Sequence, residues 1–134
     1  MREIKFRAWD KEWKIMVTYQ NSCTKIFIDL EGDINYEEEG LGLAESHQLN
    51  SERLVLMQFT GLKDKNNKEI YEGDILSGVP YNQEVYYDKV KCAFEVKEYL
   101  IEFTRKMCLS QKDIDYNKRR VIGNIYKNPE ILKR

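Results

Sequence analysis

The sequence predicts a mainly β protein. Several segments of strand length are apolar or alternate between apolar and polar residues, and Gly, Pro and Asn punctuate them at short intervals. Aromatic residues, 12% of the chain, are spread along it rather than gathered in one segment, which argues against strong disorder.

The elements follow in chain order. IKFRAWD sets Ile4, Phe6 and Ala8 against Lys5, Arg7 and Trp9, the period-two pattern of a strand with two unlike faces. DKEWK then offers a turn, and IMVTY returns as a partner strand, so the chain opens with a hairpin. KIFIDL is a second short apolar run, closed by Gly32. INYEEEGLGLAESHQLN is the least regular segment and reads as a long loop, with a helical turn near Leu43 to His47. RLVLMQF, Arg53 to Phe59, is the clearest buried strand. SGVPYN is a turn around Gly78 and Pro80, because proline has no N–H to give a central strand.

EVYYDKVKCAFEV alternates again, with Val90, Cys92, Phe94 and Val96 on one face. Glu98 to Leu109 is ambiguous: Leu100, Phe103 and Met107 have helical spacing, whereas Tyr99, Ile101 and Phe103 have strand spacing. SQKDIDYNKRR is a polar loop or short helix, and VIGNIY a last short strand in which Gly123 marks a close backbone approach. In NPEILKR, Asn128 caps a helical turn that has Pro129 at its first position.

The 134 residues form a single compact domain over 1–134, with subdomains 1–52 and 53–134 as the natural division. Formal net charge is only −1, which argues against binding nucleic acid through bulk charge. The charge is unevenly placed: residues 1–60 hold 7 Lys/Arg and 11 Asp/Glu, whereas residues 61–134 hold 15 and 12. An acidic and a basic half can attract each other within a chain or between copies. Cys23, Cys92 and Cys108 are odd in number and widely spaced, unlike a disulfide framework or a zinc site. The charged opening MREIKFRAWDKEW does not resemble a secretory signal, and no apolar run reaches the roughly 18 residues of a membrane helix. The expected location is the cytoplasm, with no membrane partner.

FTGLKDKNNKEIYEGDIL, Phe59 to Leu76, is the most highly specified stretch. Asn66-Asn67 suits a tight hairpin turn, because Asn tolerates positive φ. Gly73 is free to take positive φ at a bend. Ile70, Ile75 and Leu76 point inward while the lysines and acids stay in water. A calcium loop starting at Asp64 would need an oxygen ligand, Gly and Glu where Lys68, Glu69 and Ile75 stand. The stretch is therefore a hairpin and bend, not a metal loop.

LMQFTGLKDKNNKEIYEGDIL resembles the signature of the YopX family of phage and prophage proteins. The opening REIKFRAWDKEWKIM and the closing VIGNIYKNPEIL resemble the family as well, so the likeness spans the chain. Asn66-Asn67 stands where the family usually has Asn-Gly. The resemblance implies a β-rich protein of phage origin, in a bacterial host, whose middle and C-terminal part resembles an SH3-like small barrel; the residues themselves add the N-terminal β-hairpin region and the short helical turns. It supplies no catalytic residue and no cofactor.

The residues themselves suggest no enzyme. His47 is the one histidine, and nothing near it in sequence supports acid–base work. A Cys–His dyad would need a cysteine to reach it, and Cys92 is expected in the core. Glu37, Glu38 and Glu39 read as a solvated run, and Gly40-Leu41-Gly42 lacks the rest of a phosphate loop. The expected function is that of a non-enzymatic accessory protein working through protein contacts and self-assembly as a homo-oligomer, with a phage or host protein as a further partner. The alternative is a nucleic-acid-binding module using Lys118, Arg119 and Arg120. Residues 112–134 hold 7 basic and 3 acidic side chains, and Tyr116 and Tyr126 flank the basic run, where they could stack on bases.

Overall fold

The computed structural model describes residues 2–18, 24–28, 30–31, 34–40, 43–48 and 52–133. The chain divides into two units, Phe6–Met57 and the combination of Met1–Lys5 with Gln58–Arg134. Strands dominate both, as the sequence predicts.

In the Phe6–Met57 unit, β1 (Phe6–Asp10) and β2 (Ile15–Val17) form the opening hairpin, with Ala8 opposite Val17 and Asp10 opposite Ile15. Asp10 organises the turn. Its Oδ1 accepts the N–H groups of Glu12 and Trp13, each at 2.9 Å, and its Oδ2 accepts from Arg53 Nη2 at 2.8 Å. Lys14 closes the turn at φ 55°. The two faces expected from the alternation do not divide simply into inside and outside: Ala8 is buried, while Ile4 and Phe6 are exposed and Trp9 from the opposite face is buried. Ala8 packs with Leu54 and Leu56.

β3 (Thr24–Ile28), β4 (Ile34–Gly40) and β5 (Leu43–Gln48) form a three-stranded antiparallel sheet. This corrects the loop expected from Ile34 onward and the helical turn expected at Leu43 to His47. Glu38 pairs with Glu45 and Tyr36 with His47. Composition suggested a loop, but β4 finds ladder partners on both sides, in β3 and in β5, which a single-residue reading does not see.

β6 (Leu54–Lys63) contributes its first residues to this unit and the rest to the other. In the larger unit it pairs with β7 (Glu69–Tyr71), Phe59 standing opposite Tyr71. A five-stranded antiparallel sheet follows in the order β11-β10-β9-β8-β12, curled as half a barrel. Its strands are β8 (Asp74–Leu76), β9 (Gln83–Asp88), β10 (Ala93–Tyr99), β11 (Thr104–Cys108) and β12 (Val121–Asn124). The ambiguous segment is thus the end of one strand, a tight turn and the next strand. Val96 faces Met107 across it. The run expected to carry Val90, Cys92, Phe94 and Val96 on one face is interrupted. Asp88 Oδ1 accepts the N–H groups of Val90 and Lys91 and bends the chain, so Val90 and Cys92 are exposed and only Val96 reaches the core.

The core of this unit is Ile70, Leu76, Val85, Val96 and Ile114, with Leu62, Met107, Leu109 and Val121 against it. Each of the five fully buried side chains gains about 1.5–3 kcal/mol from burial. Ile114 comes from α1 (Gln111–Tyr116), whose N-cap Ser110 accepts the N–H of Asp113. A 3-10 turn, Pro129–Leu132, ends the described chain, with Asn128 at the cap position but no side-chain cap bond. Gly123 is crowded by side chains rather than by backbone: a Cβ there would meet Asn128 Oδ1 at 2.8 Å and Ile131 Cδ1 at 2.9 Å.

Candidate functional site

The signature stretch folds as a structural knot. Asp64 is buried, and its Oδ1 accepts the N–H groups of Asn66 at 2.8 Å and Lys68 at 2.9 Å. Asn67 takes the positive φ, 64°, that the turn requires. Oδ2 of the same carboxylate accepts the N–H of Val121 at 2.9 Å. Burial pushes the Asp64 carboxyl up, but the N–H donors of Val121, Lys68 and Asn66 outweigh it and hold the group below its ordinary value. Gly73, at φ 82°, donates its N–H to Val85 O and accepts from Ile125 N. Asp74 Oδ2 accepts the N–H of Tyr71 at 2.8 Å. Ile70, Ile75 and Leu76 are inside, as the pattern predicts, but Asp64 and Asp74 are buried with them and not in water. A buried carboxylate is stable there because backbone donors surround it.

The three basic candidates have different places. Arg119 is mostly buried; its Nε donates to Asp113 Oδ2 at 2.7 Å and its Nη1 to Ser77 O at 3.1 Å. It holds α1 against the strand end at Ser77. Lys118, at φ 49°, and Arg120 are exposed, and so is Tyr116. The fold brings to them a set of lysines that the sequence reading did not join to this segment. Lys65 donates its backbone N–H to Arg119 O at 3.0 Å. The Gln111 side chain donates to Lys63 O at 2.9 Å and accepts from Lys63 N at 3.3 Å. The only sequence signal was the count of lysines in the hairpin turn.

A second polar assembly lies on the sheet of β9 and β10. Glu84 accepts from Lys97 at 3.0 Å and from the Tyr99 hydroxyl. Glu95 accepts from the Tyr86 hydroxyl and from Lys91. Lys91, Tyr86 and their hydrogen bonds hold the Glu95 carboxyl below its ordinary range, so it stays anionic and is no general acid near neutral pH. Lys97 lies 4.8 Å from the Tyr86 ring centre. The assembly is internally satisfied.

Cys92 and Cys108 are exposed thiols. Cys23 and the side chain of His47 lie outside the described residues, as do the side chains of Glu37, Glu38 and Glu39. Among the described residues no three His, Cys, Asp or Glu side chains could hold a metal ion, and no helix is long and apolar enough to cross a membrane.

At the end of the β10–β11 hairpin, Leu100 donates its N–H to Phe103 O, leaving Ile101 and Glu102 as a two-residue loop. Ile101 is 98% and Phe103 60% exposed. β11 is the end strand of its sheet.

These features define a small, mainly β protein whose most specified residues build a hairpin knot. The chain belongs to the YopX family: the family described as YopX protein matches residues 5–133. Among solved structures it is similar to protein EF1440 from Enterococcus faecalis, at 28% identity over 99% of this chain and 100% of that one, with TM-score 0.55. It also shares its fold with protein yopX from Bacillus subtilis, at 21% identity, the same coverage and TM-score 0.69. No curated protein matches it.

Proposed function

We propose that the chain is a non-enzymatic accessory protein of phage or prophage origin that works in the host cytoplasm by self-association. The observation that carries this reading is the β10–β11 hairpin, which presents Ile101 and Phe103 to solvent at its tip and, in β11, an end strand. An end strand offers unpaired backbone groups to another chain, and exposed apolar anchors beside it supply burial on docking. The occupant is a second copy. The Phe6–Met57 unit holds 5 basic and 10 acidic residues, and the rest of the chain 17 and 13. Opposite charge on two units of one chain favours contact between copies and steers it.

Light scattering at low and at physiological salt tests this. A discrete oligomer that dissociates in the Phe103→Asp and Ile101→Asp variants supports it. Monomer mass over a wide concentration range at both salts overturns it.

A further inference from the structure

We propose that the turn of the signature hairpin and the segment after α1 form one binding face for the phosphate backbone of single-stranded nucleic acid. Lys63, Lys65 and Lys68 come from the hairpin turn, Lys118 and Arg120 from the segment before β12. In the sequence these groups stand about fifty residues apart. Three sets of contacts join them: Asp64 to Val121, Lys65 to Arg119, and Gln111 to Lys63. All five side chains are exposed.

The acids close by offset the five cations only in part: Glu69, opposite Lys63 in the β6–β7 ladder, is ion-paired to Lys5, and the remaining acids have other partners. Asp64 is buried and turned to backbone N–H groups. Asp113 accepts from Arg119 and from the Asn117 side chain at 2.7 Å. Asp115 accepts from the neutral Gln111 amide at 2.9 Å and keeps its charge, so it offsets one of the five. Among the described residues none of the five cations is in an ion pair. Surface cations gathered in one place, outside ion pairs and in excess over the acids beside them, are the electrostatic footprint of a polyanion site.

Tyr116 selects among polyanions. It is 85% exposed, and its ring leaves α1 two residues before Lys118. An exposed ring beside a basic track gives an unpaired base a stacking surface; the bases of a duplex are already stacked, and a sulfated sugar has no π face of its own. Arg119, which the sequence groups with its neighbours, is excluded from the face because it holds the fold. The proposal does not depend on self-association.

The test is fluorescence anisotropy of the full chain with labelled oligothymidylate, against duplex DNA and heparin, over about 50 to 200 mM salt. Five phosphate contacts give a slope of log K against log salt near −3.5, since single strands contribute about −0.7 each. The Lys65→Ala/Lys118→Ala/Arg120→Ala variant is expected to keep its unfolding midpoint and to lower the slope magnitude by about 2. A control variant, Lys89→Ala/Lys106→Ala/Lys133→Ala, leaves the slope unchanged. Tyr116→Ala weakens the oligonucleotide at least about fivefold and leaves heparin unaffected. Absence of binding at low salt overturns the proposal, as does an unchanged slope in the first variant. Equal loss in both triple variants reduces the site to diffuse charge and overturns it too. An unaffected Tyr116→Ala variant removes the single-strand assignment.

Discussion

Asp64 and Val121, 57 residues apart in sequence, are joined by a single hydrogen bond of 2.9 Å from the Val121 N–H to Asp64 Oδ2, while Oδ1 of the same carboxylate closes the hairpin turn. One side chain thus fixes both a local turn and the seat of the last strand. Asp64→Ala strips acceptors from the N–H groups of Asn66, Lys68 and Val121. The expected loss is about 2–4 kcal/mol, because a charged acceptor with several donors is worth more than an ordinary one. Urea unfolding measures it. An unchanged midpoint would falsify the knot.

The same carboxylate sets a pH dependence. Its folded pKa lies below the ordinary carboxyl value, so its contribution is complete above the unfolded value near 4 and is lost as pH falls through the folded one. Asp10, held down by Arg53 and by the Trp13 and Glu12 N–H groups against its own burial, acts in the same direction. Stability should therefore fall below about pH 4–5. Asp64→Asn should flatten that fall, which unfolding curves from pH 7 to 3 would reveal; parallel curves for the two proteins would discount Asp64 as its source.

Two glycines separate backbone strain from crowding. A Cβ on Gly61 would touch nothing within 4 Å, but the residue sits at φ 85°. Gly61→Ala should cost about 1–2 kcal/mol, with Asn at the same position costing less, because Asn accepts left-handed backbone. Gly123→Ala instead drives a methyl group into Asn128 and Ile131. It should cost about 1–3 kcal/mol, and Gly123→Asn should be worse, not better. Thermal unfolding of the four variants tells the two mechanisms apart; the same rank order at both sites would contradict it.

Arg119 and Arg120 are neighbours with unlike roles. Arg119→Ala breaks the contacts to Asp113 and Ser77 and should destabilise the protein by about 1–2 kcal/mol. Arg120→Ala and Lys118→Ala, both exposed, should change stability by less than about 0.5 kcal/mol. Equal losses at 119 and 120 would remove the distinction.

The sequence pattern revealed what is local and hid what is not. The turn at Asn66-Asn67, the bend at Gly73 and the inward Ile70, Ile75 and Leu76 all follow from residue type, since positive φ and burial are strongly selective. Residue type alone places Asp64 in water, because its partner Val121 is remote and a carboxylate's burial is decided by its donors. Val90 and Cys92 continue a strand's alternation on paper, yet Asp88 caps a turn beneath them, a competition between side-chain and ladder hydrogen bonds that period alone cannot resolve. Ile34–Gly40 and Leu43–Gln48 read as polar and irregular and nevertheless pair as strands. Lys63 to Lys68 and Lys118 to Arg120 are likewise remote in sequence, and the two segments meet only through the fold.

The two oxygens of Asp64 also separate two timescales. The bonds from Oδ1 span only a few residues, and a hairpin of that size closes within microseconds. The bond from Oδ2 waits for a loop of more than fifty residues to close, which loop entropy makes the later event. During synthesis the hairpin turn can therefore assemble while its carboxylate is still half hydrated, and the arrival of Val121 seals it. The last strand acts as the latch on a structure begun much earlier in the chain.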